Sequence, residues 1–194
     1  MTSSHWLPME IEVTEEDARI AWLAALAIAI HVVEANLPSP LPGVKPGLAN
    51  VVTLATLHWY GFGVAAWVSV LRVMGGGLLG GTFLSPGFFL SLSGAIASLC
   101  MLRLATAIPG LSSIGYGVLA ALAHMAGQFA LAYWVLLRHP GLLRLLPVLM
   151  TAALVFGFSG GIIARAMILI PSPYPLPEGE GEKTVVAGMD RAQA

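Results

Sequence analysis

Residues 113–137 read SIGYGVLAALAHMAGQFALAYWVLL, a run without a single Asp, Glu, Lys or Arg. An α-helix rises ~1.5 Å per residue, so about 20 residues cross a hydrocarbon core of ~30 Å. This run is long enough, and it decides the fold: the segment is a membrane-spanning helix. His124 and Gln128 sit mid-way along it, four residues apart and therefore on one helix face. Lipid offers neither of them a hydrogen bond, so both must find partners inside a helical bundle. A structural hydrogen bond and a ligand site are both open readings of the pair.

Similar runs flank this one. The first covers residues 18–37 and is broken by Pro38, Pro40, Pro42 and Gly43. Residues 47–74 are apolar but interrupted at Gly61 and Gly63, which favours two short spans joined there over one long kinked helix. Gly75-Gly76-Gly77-Leu78-Leu79-Gly80-Gly81 is a poor helix interior. It is expected to be a loop or a place where backbones touch. A further span covers residues 86–104, followed by a turn at 105–112 containing Pro109-Gly110. Arg138-His139-Pro140-Gly141 is a polar turn, and the last span covers 142–170, ended by Pro171. The prediction is an all-α polytopic integral membrane protein of about six helices over residues 18–170. An acidic segment (1–17) precedes it. A Pro/Glu-rich tail (171–194), whose composition predicts disorder, follows.

Composition agrees with the run-by-run reading. The chain has 194 residues, 57% apolar and 10% charged, and a mean hydropathy of +0.84. Soluble domains carry roughly 25% charged residues, so the expected solvent is the lipid bilayer. A net charge of −1 gives no reason to expect nucleic acid as a partner. Residues 1–17 contain Glu10, Glu12, Glu15, Glu16 and Asp17 but no Lys or Arg, unlike a secretory signal, so the first span is expected to remain as an anchor. Cys100 is the only cysteine. It can form no internal disulfide, and its apolar surroundings predict a small buried hydrophobe. The basic residues divide too evenly between the two ends of the spans to set an orientation.

Several chemistries lack their residues. Aspartate occurs only at Asp17 and Asp190, so there is no acidic cluster to hold Mg²⁺ against a prenyl diphosphate. Glu182 precedes Lys183 where a phosphate-cradling loop needs glycine. Gly75, Gly77 and Gly80 fit G-x-G-x-x-G, but no strand precedes them, and helix packing or a turn is the simpler reading. No catalytic residue, metal site or cofactor is expected.

Ionisable groups at membrane depth cost ~2.5 kcal/mol or more and usually face the protein interior. His31 and Glu34 lie three apart on one face of the first span. They are candidate ligand residues, or an interfacial cluster solvated by headgroups. An intramembrane enzyme using this pair as acid and base has no nucleophile or metal to accompany it. Lys45 in the proline-rich loop can reach an anionic group, and Asn50 and Thr53 follow on the next span. A snorkelling lysine and interhelical hydrogen bonds are the alternatives. Arg72 ends an apolar run; it is kept as a candidate, although snorkelling to the interface explains it more simply. His58 looks like an interfacial anchor, and Ser85, Ser91 and Ser93 like packing residues. Ala21, Ala25 and Ala29 form a small-residue ridge that could admit another helix. The candidate substrate-binding set is therefore His31, Glu34, Lys45, Asn50, Arg72, His124 and Gln128, with Ala21, Ala25 and Ala29 as a candidate docking face.

The run HVVEANLPSPLPGVKPGLANVVTLATL (31–57) resembles a bacterial membrane family called both the Gx transporter family and heptaprenyl diphosphate synthase component I. The shared residues are Glu34, Pro42, Gly43, Lys45, Gly47, Leu48, Ala49 and Asn50. The likeness continues in LRVMGGGLLGGTFLSPGFFLSLSGAIASL (71–99), with Arg72, Gly80, Ser85, Phe88, Ser91 and Gly94. It recurs in AHMAGQ (123–128), with His124 and Gln128, and in LPVLMTAALVFGFSGGIIAR (146–165). It spans about residues 20–167. Met125 stands where the family usually has asparagine, and Pro46 where it has leucine. The resemblance implies a six-helix fold similar to the S-components of energy-coupling-factor transporters. The implied activity is uptake of a small-molecule substrate across the cell (inner) membrane. The implied partners are a T-component, docked on Ala21, Ala25 and Ala29, and separate ATPases. The family's other name implies the alternative, a non-catalytic membrane subunit in heptaprenyl diphosphate or quinone synthesis.

Overall fold

The computed structural model describes residues 14–36 and 48–170. The N-terminal segment before Thr14, Lys45 with the rest of the 37–47 loop, and the tail from Pro171 lie outside the described residues. Everything described is helix or turn: α1 (Glu15–Asn36), α2 (Leu48–Leu79), α3 (Pro86–Ala105), α4 (Ser113–Leu131) and α5 (Leu146–Ile168). A π-helical turn (Ala132–Leu137) extends α4, and a 3-10 turn (Pro140–Leu145) leads into α5. Among the described residues, four helical stretches are long and apolar enough to cross a membrane: Asn50–Leu79, Pro86–Ala105, Ser113–Leu137 and Pro140–Ile168.

The helix starts follow local chemistry. At α1, the Thr14 hydroxyl and amide donate to Asp17 Oδ2 at 2.7 and 3.0 Å, while the Asp17 amide donates back to Thr14 Oγ1 at 3.2 Å. These bonds hold the Asp17 carboxyl below its usual range. Ser85 and Ser112 cap α3 and α4 by accepting from the amides of Phe88 and Gly115.

α2 is not straight. Gly61 has φ 81° and ψ −176°, a backbone region essentially reserved for glycine. The contacts on either side show that the chain folds back there. Arg19, near the start of α1, lies 5.8 Å from the Tyr60 ring, whereas Gly76 abuts His31, near the end of α1. Val52 and Val68 join the same core cluster as Leu23 and Ala27. In an unbroken helix, Asn50 and Arg72 would stand about 33 Å apart, yet they line one cavity. The arm 48–60 therefore runs back along α1, and the arm 62–79 returns beside it. Gly61→Ala is expected to cost about 1–3 kcal/mol from this backbone strain. A lower midpoint in detergent unfolding checks it; an unchanged midpoint would contradict the strain at this residue.

The glycine-rich stretch belongs to the second arm rather than to a loop. Gly75 abuts Ile28, and a β-carbon on Gly77 would come within 2.8 Å of the Phe88 ring. It is thus a place of close contact. α3, α4 and α5 follow as antiparallel neighbours. Gly127 packs on the Ser93 carbonyl, Gly117 on the Gly157 carbonyl, and Gly161 on the Ile114 backbone. Small residues are what allow helices to associate where lipid removes most of the hydrophobic drive. Between the layers, Leu54, Leu57, Leu102 and Tyr116 form the buried core.

The outer surface is apolar: Trp22, Trp67, Ile96, Leu104, Val155, Phe158 and Ile162 are exposed large hydrophobes. In water such a surface would drive aggregation; in a bilayer it is the solvated face. Cys100 belongs to this exposed face. The expectation of a buried thiol was wrong because an apolar neighbourhood in sequence does not separate a core-facing side from a lipid-facing one.

Candidate functional site

The polar residues within the helices are not scattered. One cavity of about 240 Å³ is lined by His31, Glu34, Asn50, Arg72, His124 and Gln128. These are all the candidate substrate-binding residues that fall among the described ones. Each helix contributes for a local reason. His31 and Glu34 occupy one face of the last turns of α1. Asn50 stands in the first turn of α2, and Arg72 reaches the same place because the chain has turned at Gly61. His124 and Gln128 project from α4. Ser91 on α3 and Phe156, Gly157 and Gly160 on α5 complete the wall.

His124 and Gln128 satisfy one another in part, with Gln128 Nε2 3.0 Å from His124 Nε2. The position of the ring proton and the orientation of the carboxamide together set which of the two donates. His124 Nδ1 is buried without a partner. The pair fits only because residue 94 is glycine: a β-carbon there would lie 2.8 Å from His124 Nε2 and 2.9 Å from Gln128 Cγ.

Arg72 does not snorkel. It is 5% exposed and lines the cavity, within electrostatic range of Glu34 and His124. The simpler reading of the sequence fails because the chain reversal carries Arg72 inward against α1. Glu34 is likewise buried, at 4% exposure. Thr53 is buried with an unpartnered hydroxyl and does not line the cavity. Ala21, Ala25 and Ala29 are all exposed on α1, away from the cavity. Among the described residues, no group of three His, Cys, Asp or Glu is placed to hold a metal ion.

The sequence understated Ser91 and offered no sign of Phe156 or Gly160. Ser91 resembles the packing serines beside it, and apolar wall residues look alike whether they face a cavity, a core or lipid. Met125 also lines the cavity and puts a thioether on its wall.

The arrangement suits recognition. One carboxylate, one guanidinium, two imidazoles and two carboxamides converge on a space partly walled by Val51, Leu54, Leu90 and Phe156. Such a mixture of apolar walls with a few directed polar groups is typical of small-molecule sites, which run to about 300–1,000 Å³. This cavity falls just under that range.

Fold and cavity together define a helical membrane protein with a polar cavity enclosed by its helices. The chain belongs to the heptaprenyl diphosphate synthase component I family, whose sequence profile matches residues 23–167. No curated protein and no solved structure matches it.

Proposed function

We propose that this chain is the substrate-binding membrane subunit of a system that takes up a small polar molecule. The observation that carries the reading is the convergence of His31, Glu34, Asn50, Arg72, His124 and Gln128 on one cavity of about 240 Å³. Buried polar groups in a bilayer are costly, and a bundle that needed only packing would have little use for six of them in one place. The reading extends to six crossings, with the two arms of α2 counted separately, and to an S-component-like bundle in the cell (inner) membrane. It also extends to a T-component with ATPases, docked on the exposed face bearing Ala21, Ala25 and Ala29. Lys45, outside the described residues, is assigned to the same site.

The test is direct. Full-length protein purified in a mild detergent should carry a specific small molecule, identified by mass spectrometry after denaturation. Ser91→Leu, which fills the cavity from α3, should reduce the amount carried at least tenfold. Equal retention by Ser91→Leu and wild type would remove the cavity from consideration.

The family description favours a second reading, a non-catalytic subunit of prenyl diphosphate synthesis. At ~30 Å³ of liquid per water, the cavity equals about eight waters, little room for a long isoprenoid chain. Co-purification with a soluble prenyl synthase, and not with ATPases, would favour this second reading.

A further inference from the structure

Charge and hydrogen bonding are unequal within the cavity. Arg72 Nε is sealed from solvent and has no acceptor. Among the described residues, no hydrogen bond or ion pair engages the terminal nitrogens of Arg72 either. A buried guanidinium presents five donors in a planar fork and keeps its charge at any physiological pH. A buried guanidinium needs acceptors, so an arginine held this way is suited to bind an anion.

A second observation points the same way. Two helices begin at the cavity. Asn50 and Val51 in the first turn of α2, and Gly87 in the first turn of α3, are part of its lining. Helix N-termini carry about half a positive charge, although at α3 Pro86 has no N–H and Ser85 already accepts from the Phe88 amide. A third lies in His124, whose Nδ1 is buried without a partner. Glu34 opposes this field, since its charge acts on Arg72. Its carboxylate nevertheless leaves the Arg72 donors unpaired.

We propose that Arg72, with the first turns of α2 and α3, forms an oxyanion site, and that the molecule bound in the cavity is a small organic acid. Its carboxylate or phosphate meets the guanidinium in the two-pronged geometry that arginine favours. The rest of the molecule lies toward His124, Gln128 and the wall at Phe156. The inference rests on the reading of the cavity as a ligand site and adds the chemical class of the ligand.

The test uses full-length protein in a non-ionic detergent, with sodium acetate, sodium phosphate or sodium chloride at one ionic strength. Wild type should gain several degrees in Tm in acetate if the group is a carboxylate, or in phosphate if it is a phosphoryl group, over chloride. Arg72→Gln should abolish the gain and Arg72→Lys should retain part of it. The small molecule released from wild type should be anionic and at least tenfold depleted in Arg72→Gln. Should Arg72→Gln not fold, Arg72→Lys takes its place, and a gain equal to that of wild type overturns the site, because stabilisation by salt exclusion is the same in both proteins. No gain in wild type from acetate or phosphate overturns the oxyanion site. So does a neutral or cationic ligand that Arg72→Gln retains, although the cavity would then still be a ligand site. Retention of any ligand by Ser91→Leu at the wild-type level is the separate result that removes the cavity itself.

Discussion

Replacing Gly117 with valine should prevent the bundle from assembling. A β-carbon at this residue would lie 2.6 Å from the Gly157 carbonyl oxygen, 2.8 Å from Gly161 Cα and 2.9 Å from Gly161 N. All three are backbone atoms of α5, so no side chain can rotate away. α4 and α5 must separate along their length, and with them the walls of the cavity that hold His124 and Gly160. Overpacking a core usually costs about 1–3 kcal/mol; a clash of backbone with backbone belongs at or above the top of that range. Size-exclusion chromatography should show aggregated or absent protein, and any folded fraction should unfold far earlier in SDS titration. Gly63→Ala is the control, because a β-carbon there meets nothing within 4 Å; it should behave as wild type or slightly better. A Gly117→Val protein as stable as wild type would mean that the α4–α5 contact is not as close as described.

Gly94→Val should separate function from folding. Its β-carbon would meet His124 and Gln128, which are side chains with freedom to rotate. The helices can therefore stay packed while the hydrogen-bonded pair is driven into the cavity. Retention of the small molecule should fall by more than tenfold, equivalent to about 1.4 kcal/mol, with monodispersity preserved. Gln128→Leu should have a similar effect on retention by leaving His124 Nε2 without its partner. Full retention in both variants would exclude the pair from binding.

Much of this architecture is legible in the sequence, and the reasons differ by element. The runs that became α3, α4 and α5 announce themselves by length and absence of charge, and their ends fall within a few residues of the expected ones. The helical stretch that starts with α4 runs from Ser113 to Leu137 as expected, although its last turn winds as a π-helix, which no residue type marks. The interruption at Gly61 is visible and favours two short spans over one kinked helix, but where the second arm then packs is not visible, because glycine permits a kink, a straight passage or a reversal alike. That ambiguity explains the misreading of Arg72: its position in space depends on the reversal, while its place in the sequence is the end of an apolar run. The convergence of His31, Glu34, Asn50, His124 and Gln128 follows from a simpler rule, that polar groups at membrane depth turn inward together. Cys100 fails for the complementary reason, since inward and outward apolar residues share one vocabulary.

The reversal at Gly61 also fixes which parts of the chain share a side. Arg19 touches Tyr60, Arg103 lies 5.6 Å from the Phe62 ring, and the Tyr116 hydroxyl bonds the Ala105 carbonyl. Gly161 meets Ile114 at the same end. The first turn of α1 and the last turn of α5 therefore emerge together, whereas His31, Glu34, Asn50 and Arg72 of the cavity lie toward the opposite end of the bundle. A reporter joined beyond either end of this helical unit would sit in one compartment, while labels at Arg138 or Arg144 would meet reagents from the other.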